Sequence, residues 1–178
     1  MLLTLSFFVK IDLQTSVIYM KDQNKLGPSW PATLFLSWFG TGFSPKAPGT
    51  IGSLATIPLI YLLGKINLNI IYLWTLIIVF YIAAVYVAQK VQTKYHLHDP
   101  QWIVIDEVIG MLITWSFAPS LEWKHLFACF FLFRVFDIIK IWPASFFDKL
   151  HHGVGTITDD VISAIYAGIL YWMTVNLV

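Results

Sequence analysis

The chain has 178 residues, of which 58% are hydrophobic, 17% aromatic and only 12% charged, at a mean hydropathy of +0.73. A soluble globular domain carries about 25% charged residues, so a share this low leaves too few charges to cover a water-facing surface, and the length fits one domain. The formal net charge of +1 gives no reason to expect nucleic acid or an acidic protein partner.

Residues 1–10 hold a short apolar stretch with no basic residue before it and no small-residue cleavage site after it, which makes a poor signal peptide. Residues 1–19 differ in character from the rest of the chain, and Met20 opens a lead with Lys21 and Lys25 of the kind that precedes a first membrane helix. Gly27, Pro28 and Pro31 break the chain before an apolar stretch at 32–39. The segment GTGFSPKAPGTIGS at 40–53 is too rich in Gly and Pro to be regular, and an apolar run at 54–63 comes after it, ended by Gly64. Residues 69–89 are uncharged. At about 1.5 Å per residue they cover roughly 30 Å, the thickness of a bilayer core, and form the clearest transmembrane helix.

Residues 90–101 are polar, then Asp106 and Glu107 precede an apolar helix at 108–118 that Pro119 and Ser120 end. The apolar run 126–141 carries Arg134, Asp137 and Lys140. A connector with Asp148, Lys149, His151 and His152 leads to Asp159 and Asp160, after which 161–178 is uncharged. The expected fold is all-α: a compact bundle of five to six helices, several spanning the membrane or embedded in it, because backbone groups in lipid must bond internally. Eight Trp and eight Tyr suit aromatic belts at two lipid–water interfaces.

Threading these segments alternately across a bilayer leaves Lys65 and Lys124 as the only basic residues on the far side, which makes the near side cytoplasmic. The same threading gathers every acid except Glu122 on the near side. Acids have little say in orientation, so a site for a polyanion and a metal on the cytoplasmic face is the better cause.

Arg134, Asp137 and Lys140 step by three and share one broad helix face. Arg134 is the sole arginine. It reads either as an ion-pair partner of Asp137 or as a phosphate-gripping cation, for which a planar guanidinium is suited. Asp106–Glu107 and Asp159–Asp160 each stand at the start of an apolar helix, where one acid would complement the dipole. Two adjacent acids, twice, with Asp137 on a third helix, exceed that need and match the hard oxygen ligands that hold Mg²⁺. Asp160 lies above Ser163, Ala164, Ala167 and Gly168 at helical spacing, a small-residue face that lets another helix approach. Ser44, Lys46, Gly49 and Thr50 lie in a loop before a helix, a setting that binds phosphate through free amides but more often simply turns. His98–Asp99 and His151–His152 read as ligands, general acids or solvated connector residues. Cys129 is the single cysteine, so no intrachain disulfide forms, and its apolar surroundings make it a buried structural thiol. Cys129 and Arg134 do not form a cysteine-phosphatase loop, because Phe, Phe, Leu and Phe fill the space between them.

Over roughly residues 32–175 the chain resembles the phosphatidylglycerophosphatase A family. The matching stretches are GTGFSPKAPGTIGSLATIP (40–58), VIDEVIGM (104–111), FRVFDIIKIWP (133–143), FD (147–148) and HGVGTITDD (152–160). Ile141 stands where that family often has proline, and residues 1–19 have no counterpart. The resemblance implies a Mg²⁺-dependent lipid phosphatase of phospholipid biosynthesis that hydrolyses phosphatidylglycerophosphate to phosphatidylglycerol and inorganic phosphate. It implies a multi-pass protein of the bacterial inner membrane with its site on the cytoplasmic face and no obligate protein partner.

On that resemblance Asp106, Glu107, Asp137 and Asp160 are assigned to Mg²⁺ with Asp159 in support. Arg134 and Lys140 are assigned to the phosphate, with Lys46, Ser44 and the amides around Gly49 and Thr50. Attack on phosphorus by an activated water and passage through a phospho-aspartate both stay open. A CDP-alcohol phosphatidyltransferase is the rival enzyme class, but its longer Asp-Gly, Ala-Arg and twin-Asp array is missing. A non-enzymatic carrier using buried acids would hold them nearer mid-membrane.

The chain divides into an N-terminal extension, 1–31, of which 1–19 is not expected to belong to the native protein, and a single membrane domain, 32–178. A chain begun at Met20 is expected to keep full activity. A loss beyond about tenfold, roughly 1.4 kcal/mol in the barrier, contradicts that division.

Overall fold

The structure, a computed structural model, describes residues 28–150 and 152–177. The expected extension therefore lies, as far as residue 27, outside the described residues, as does His151. Among the described residues the fold is all-helical: eight α-helices, four of them short, and one 3₁₀ turn.

Helix α1 (Trp30–Leu36) has proline in its first turn, where no backbone donor is lost. The 3₁₀ turn Thr41–Phe43 comes after Gly40, whose φ of 90° favours glycine. Helix α2 (Pro48–Ala55) starts inside the Gly/Pro-rich segment that the composition marks as irregular. Pro48 opens the helix, and Gly49 and Gly52 are buried where Glu107 and Val104 approach. These glycines serve close packing rather than a turn. Helix α3 (Ile57–Lys65) begins after a break at Thr56, whose hydroxyl donates back to the Gly52 carbonyl at 2.9 Å.

Helix α4 (Ile70–Tyr95) is capped by Asn69, whose side chain accepts from the Ile71 amide at 2.9 Å. It runs beyond the apolar stretch because Gln92, fully buried, donates to Thr156 at 3.0 Å. Helix α5 (Ile105–Trp115) is buried along nearly its whole length. Helix α6 (Trp123–Ile139) ends at Lys140 in a left-handed conformation, φ 49°. A single turn, α7 (Ala144–Phe147), leads to helix α8 (Gly153–Asn176). Because α8 begins at Gly153, Asp159 and Asp160 lie nearly two turns inside it rather than at its start.

Helix α8 packs against α4, α5, α6 and α7, and α5 fills the centre. Small residues set the distances. Ser163, Ala164, Ala167 and Gly168 are buried on α8, and the Thr114 hydroxyl of α5 reaches the Ala164 carbonyl at 3.2 Å. Such contacts matter where lipid removes the hydrophobic drive between helices.

Helices α4 and α8 are the two, among the described residues, long and apolar enough to cross a membrane. Only 17% of the apolar window of α4 is buried inside the protein, against 56% for α8. Ile71, Tyr72 and Ile82 on α4 face outward and need an apolar surrounding. Helix α5, with 11 residues, covers about 16 Å and does not reach across a bilayer core.

Gly110 of α5 rests on the Phe133 ring of α6, and a Cβ there would overlap that ring. Gly110→Val is expected to lower stability by about 1–3 kcal/mol, the usual cost of overpacking, read as a fall in Tm in detergent. An unchanged Tm would show that α5 and α6 do not meet so closely.

Candidate functional site

Asp106 and Glu107 occupy the first turn of α5, where free amides favour acids. The Glu107 amide donates to Asp106 Oδ1 at 3.0 Å, which fixes one carboxylate against the helix start. Asp159 and Asp160 have no helix end beside them, so dipole complementation does not explain them. Both are almost fully buried, as are Asp106 and Asp137.

Asp106, Glu107 and Asp160 can each offer an oxygen, with all three atoms within 4.8 Å of one another. Oxygens around a small octahedral cation at about 2.0–2.1 Å stand roughly 3 Å apart when adjacent and 4 Å when opposite. A slight contraction of the trio meets that requirement. Glu107 Oε2 is buried without a hydrogen-bond partner, which leaves it available to an ion. Asp137 adjoins the trio, beside Asp160 at side-chain hydrogen-bonding range and near Glu107. The donors are all hard carboxylate oxygens, so the cluster fits a metal cation.

Arg134 borders this cluster. Its Nη1 lies 2.6 Å from Asp137 Oδ2 and 3.6 Å from Glu107 Oε1, while its buried Nε has no hydrogen-bond partner. The ion pair expected from the three-residue step is present, yet neither Nε nor Nη1 of the guanidinium makes a hydrogen bond. The start of α2 closes the far side: a Cβ on Gly49 would overlap the Glu107 carboxylate and stand 3.1 Å from Arg134 Nη1.

Lys140 takes a different course from Arg134. It ends α6 in the left-handed region and reaches Asp148 at 2.5 Å and Asp159. Burial opposes its charge, but hydrogen bonds from its ammonium to Asp148 and Asp159, with the nearby Asp160, hold its pKa above the ordinary lysine value. Asp159 Oδ1 stays buried and unpartnered. Beside it lies a polar cavity of about 50 Å³ lined by His98, Asp99, Asp148, His152 and Thr156 among others.

The structure thus brings together Asp106, Glu107, Asp137, Asp160, Arg134 and Gly49, with Asp159 and Lys140 alongside. Lys46 is exposed, and Ser44 donates only to the Lys46 carbonyl at 3.0 Å. Among the described residues no ion pair or hydrogen bond links Ser44, Lys46 or Thr50 to the carboxylates. Asp148, to which the sequence alone assigns no role, is the residue that joins Lys140; its only signal is the FD pair at 147–148. Cys129 is fully buried, as its apolar setting implies.

A family profile described as Phosphatidylglycerophosphatase A matches residues 34–175. A Haemophilus influenzae protein named Phosphatidylglycerophosphatase A is 41% identical over 150 residues, covering 80% of this chain and 91% of that one. An Escherichia coli protein of the same name is 38% identical over 154 residues, covering 85% and 88%. A Bacteroides thetaiotaomicron relative, 36% identical over 152 residues (80% and 92%), carries a provisional name as a phosphatidylinositol-3-phosphatase. No solved structure matches.

Proposed function

The chain belongs to the phosphatidylglycerophosphatase A family and is a phosphoric monoester hydrolase, and we propose that it hydrolyses phosphatidylglycerophosphate to phosphatidylglycerol and phosphate with Mg²⁺. The observation that carries the metal requirement is the trio of buried hard oxygens from α5 and α8, with Glu107 Oε2 unpartnered beside Arg134. The site lies at the cytoplasmic face of a bacterial membrane in this reading. Support comes from two helices long enough to span, from the gathering of acids on one side, and from the bacterial relatives. A single domain covers 32–178.

Asp106, Glu107 and Asp160 would hold Mg²⁺, with Asp137 completing the shell or accepting from a bound water. Mg²⁺, when bound, supplies positive charge to phosphate oxygens and lowers the pKa of water. Arg134 grips the phosphate through its unused Nε edge, held in place by Asp137. The amides of Gly49 and Thr50 at the start of α2 would serve the same anion, and Lys46 at the loop surface would add positive charge to the approach. Lys140 pairs with Asp159 and orients it, and its own charge assists the anion at longer range. Asp159 presents its free oxygen to the polar cavity, where it can take a proton from water or return one to the leaving alkoxide. Ser44 shapes the loop through the Lys46 carbonyl.

Purified protein is expected to release phosphate from short-chain phosphatidylglycerophosphate with Mg²⁺ and to stop when a chelator is in excess. The chelator should also lower the Tm, because the carboxylates then repel one another. Asp160→Asn should abolish turnover and shrink the Tm response to Mg²⁺. Phosphate release that persists in excess chelator overturns the metal assignment.

Arg134→Lys keeps the charge and loses the planar donor pair. A fall in kcat/KM of at least about 100-fold, roughly 2.7 kcal/mol, is expected with the fold intact. Near-normal turnover would reduce Arg134 to an ion-pair partner of Asp137.

A further inference from the structure

The acid cluster receives only the polar end of a lipid phosphate, and the hydrocarbon needs a place of its own. Between α6 and α8 runs an open groove of about 230 Å³, lined by Phe136, Ile141, Tyr166, Ile169, Leu170 and Met173. Tyr166, Ile169, Leu170 and Met173 fall at helical spacing and form one stripe of α8.

One end of the groove begins next to the site along the chain. Phe136 precedes Asp137 and Ile141 comes directly after Lys140, so the same turn of chain carries both the charged groups and the apolar wall. Along α8, Tyr166 stands six residues beyond Asp160, a rise of about 9 Å, and Met173 lies roughly 10 Å further. Along the helix axis, that separation matches the glycerol and phosphodiester that would lie between a phosphate at Asp160 and chains at the stripe, which faces another side of α8.

The chemistry of the wall agrees with hydrocarbon. The one polar group, the Tyr166 hydroxyl, is already engaged, donating to the Trp142 carbonyl at 3.1 Å. The Phe136 and Tyr166 rings pack with centroids 6.0 Å apart and form the end of the groove nearest the site. Ile141, Ile169, Leu170 and Met173 remain 40–47% exposed, an arrangement that costs little only if apolar matter lies against them.

We propose that this groove seats an acyl chain of the substrate while its terminal phosphate lies at the acid cluster. The proposal rests on the lipid-phosphatase reading of the site. It makes Ile169, Leu170 and Met173 determinants of chain-length preference.

Two measurements on the full chain test it. In uncharged detergent micelles, Ile169→Trp and Met173→Trp are each compared with wild type on dipalmitoyl phosphatidylglycerophosphate and on its water-soluble deacylated headgroup. The ratio of kcat/KM for the long-chain lipid to that for the headgroup should fall at least about tenfold in each variant, mainly through KM, the factor that ~1.4 kcal/mol of lost contact gives. An unchanged ratio overturns the proposal. In the second measurement, phosphatidylglycerol carrying a diazirine in mid-chain is photolysed with wild-type protein in phosphatidylcholine vesicles, and adducts are mapped by mass spectrometry. Adducts concentrated severalfold on residues 136, 141 and 166–173 support the groove. Labelling spread equally over the outward face of α4 marks only surrounding lipid, and labelling absent from the groove marks another occupant such as a second copy; either overturns it. If wild type hydrolyses neither substrate, the phosphatase reading fails, and the adduct map still decides whether the groove is a lipid site.

Discussion

Carboxylates resist being gathered away from water, because each loses hydration and repels its neighbours. Two of them about 4 Å apart repel by roughly 4 kcal/mol at an effective dielectric near 20. Here α5, α6 and α8 bring Asp106, Glu107, Asp137, Asp159 and Asp160 to one region of an apolar bundle, with Arg134 and Lys140 as the local cations. Two positive charges leave three of those five carboxylates unbalanced, and Lys140 is shared with Asp148 as well. A cation bound among Asp106, Glu107 and Asp160 would relieve α5, α6 and α8 of this repulsion and create a centre that attracts phosphate. Stability and chemistry would then depend on the same ion.

The bundle tolerates this concentration of charge because small residues let the helices carrying it approach. Gly110 beneath Phe133 sets the distance from α5 to α6, and Gly168 beneath Phe117 fixes α8 against the segment just after α5. Gly49 gives the Glu107 carboxylate and the Arg134 guanidinium the space a methyl group would take. Large side chains go elsewhere: Ile71, Tyr72 and Ile82 turn outward from α4, and the α8 stripe borders the groove. The protein thus separates a charged end, a tightly packed middle and an apolar outer surface, a division suited to a substrate with one very polar end and two hydrocarbon chains.

Much of this is legible in the sequence where the signal is local. The uncharged run at 69–89 marks α4, the acid pair at 106–107 marks the start of α5, and the step from Arg134 to Asp137 gives an ion pair within one turn. The small residues after Asp160 correctly mark the buried face of α8. What escapes depends on contacts between distant segments. The GTGFSPKAPGTIGS composition reads as loop, yet α2 forms there because its glycines face Glu107 and Val104. The start of α8 is misplaced because the stretch before Asp159 reads as connector; the helix already opens at Gly153, and Gly153 and Gly155 lie against the α4 backbone and the carbonyls of Phe147 and Leu150. Spacing alone puts Lys140 on one face with Arg134. The left-handed turn at Lys140 and the reversal through α7 send it to Asp148 and Asp159, which no periodicity encodes.

Carboxylates from separate helices converge on one cation in this account, and direct location of that ion tests it best. Crystals grown with Mn²⁺ in place of Mg²⁺ and measured at the manganese absorption edge give its position without reference to activity. The expected result is an anomalous peak among the carboxylates of Asp106, Glu107 and Asp160, with Asp137 adjacent and Arg134 outside the shell. No peak there at saturating Mn²⁺, with those carboxylates hydrogen-bonded to one another instead, would contradict it.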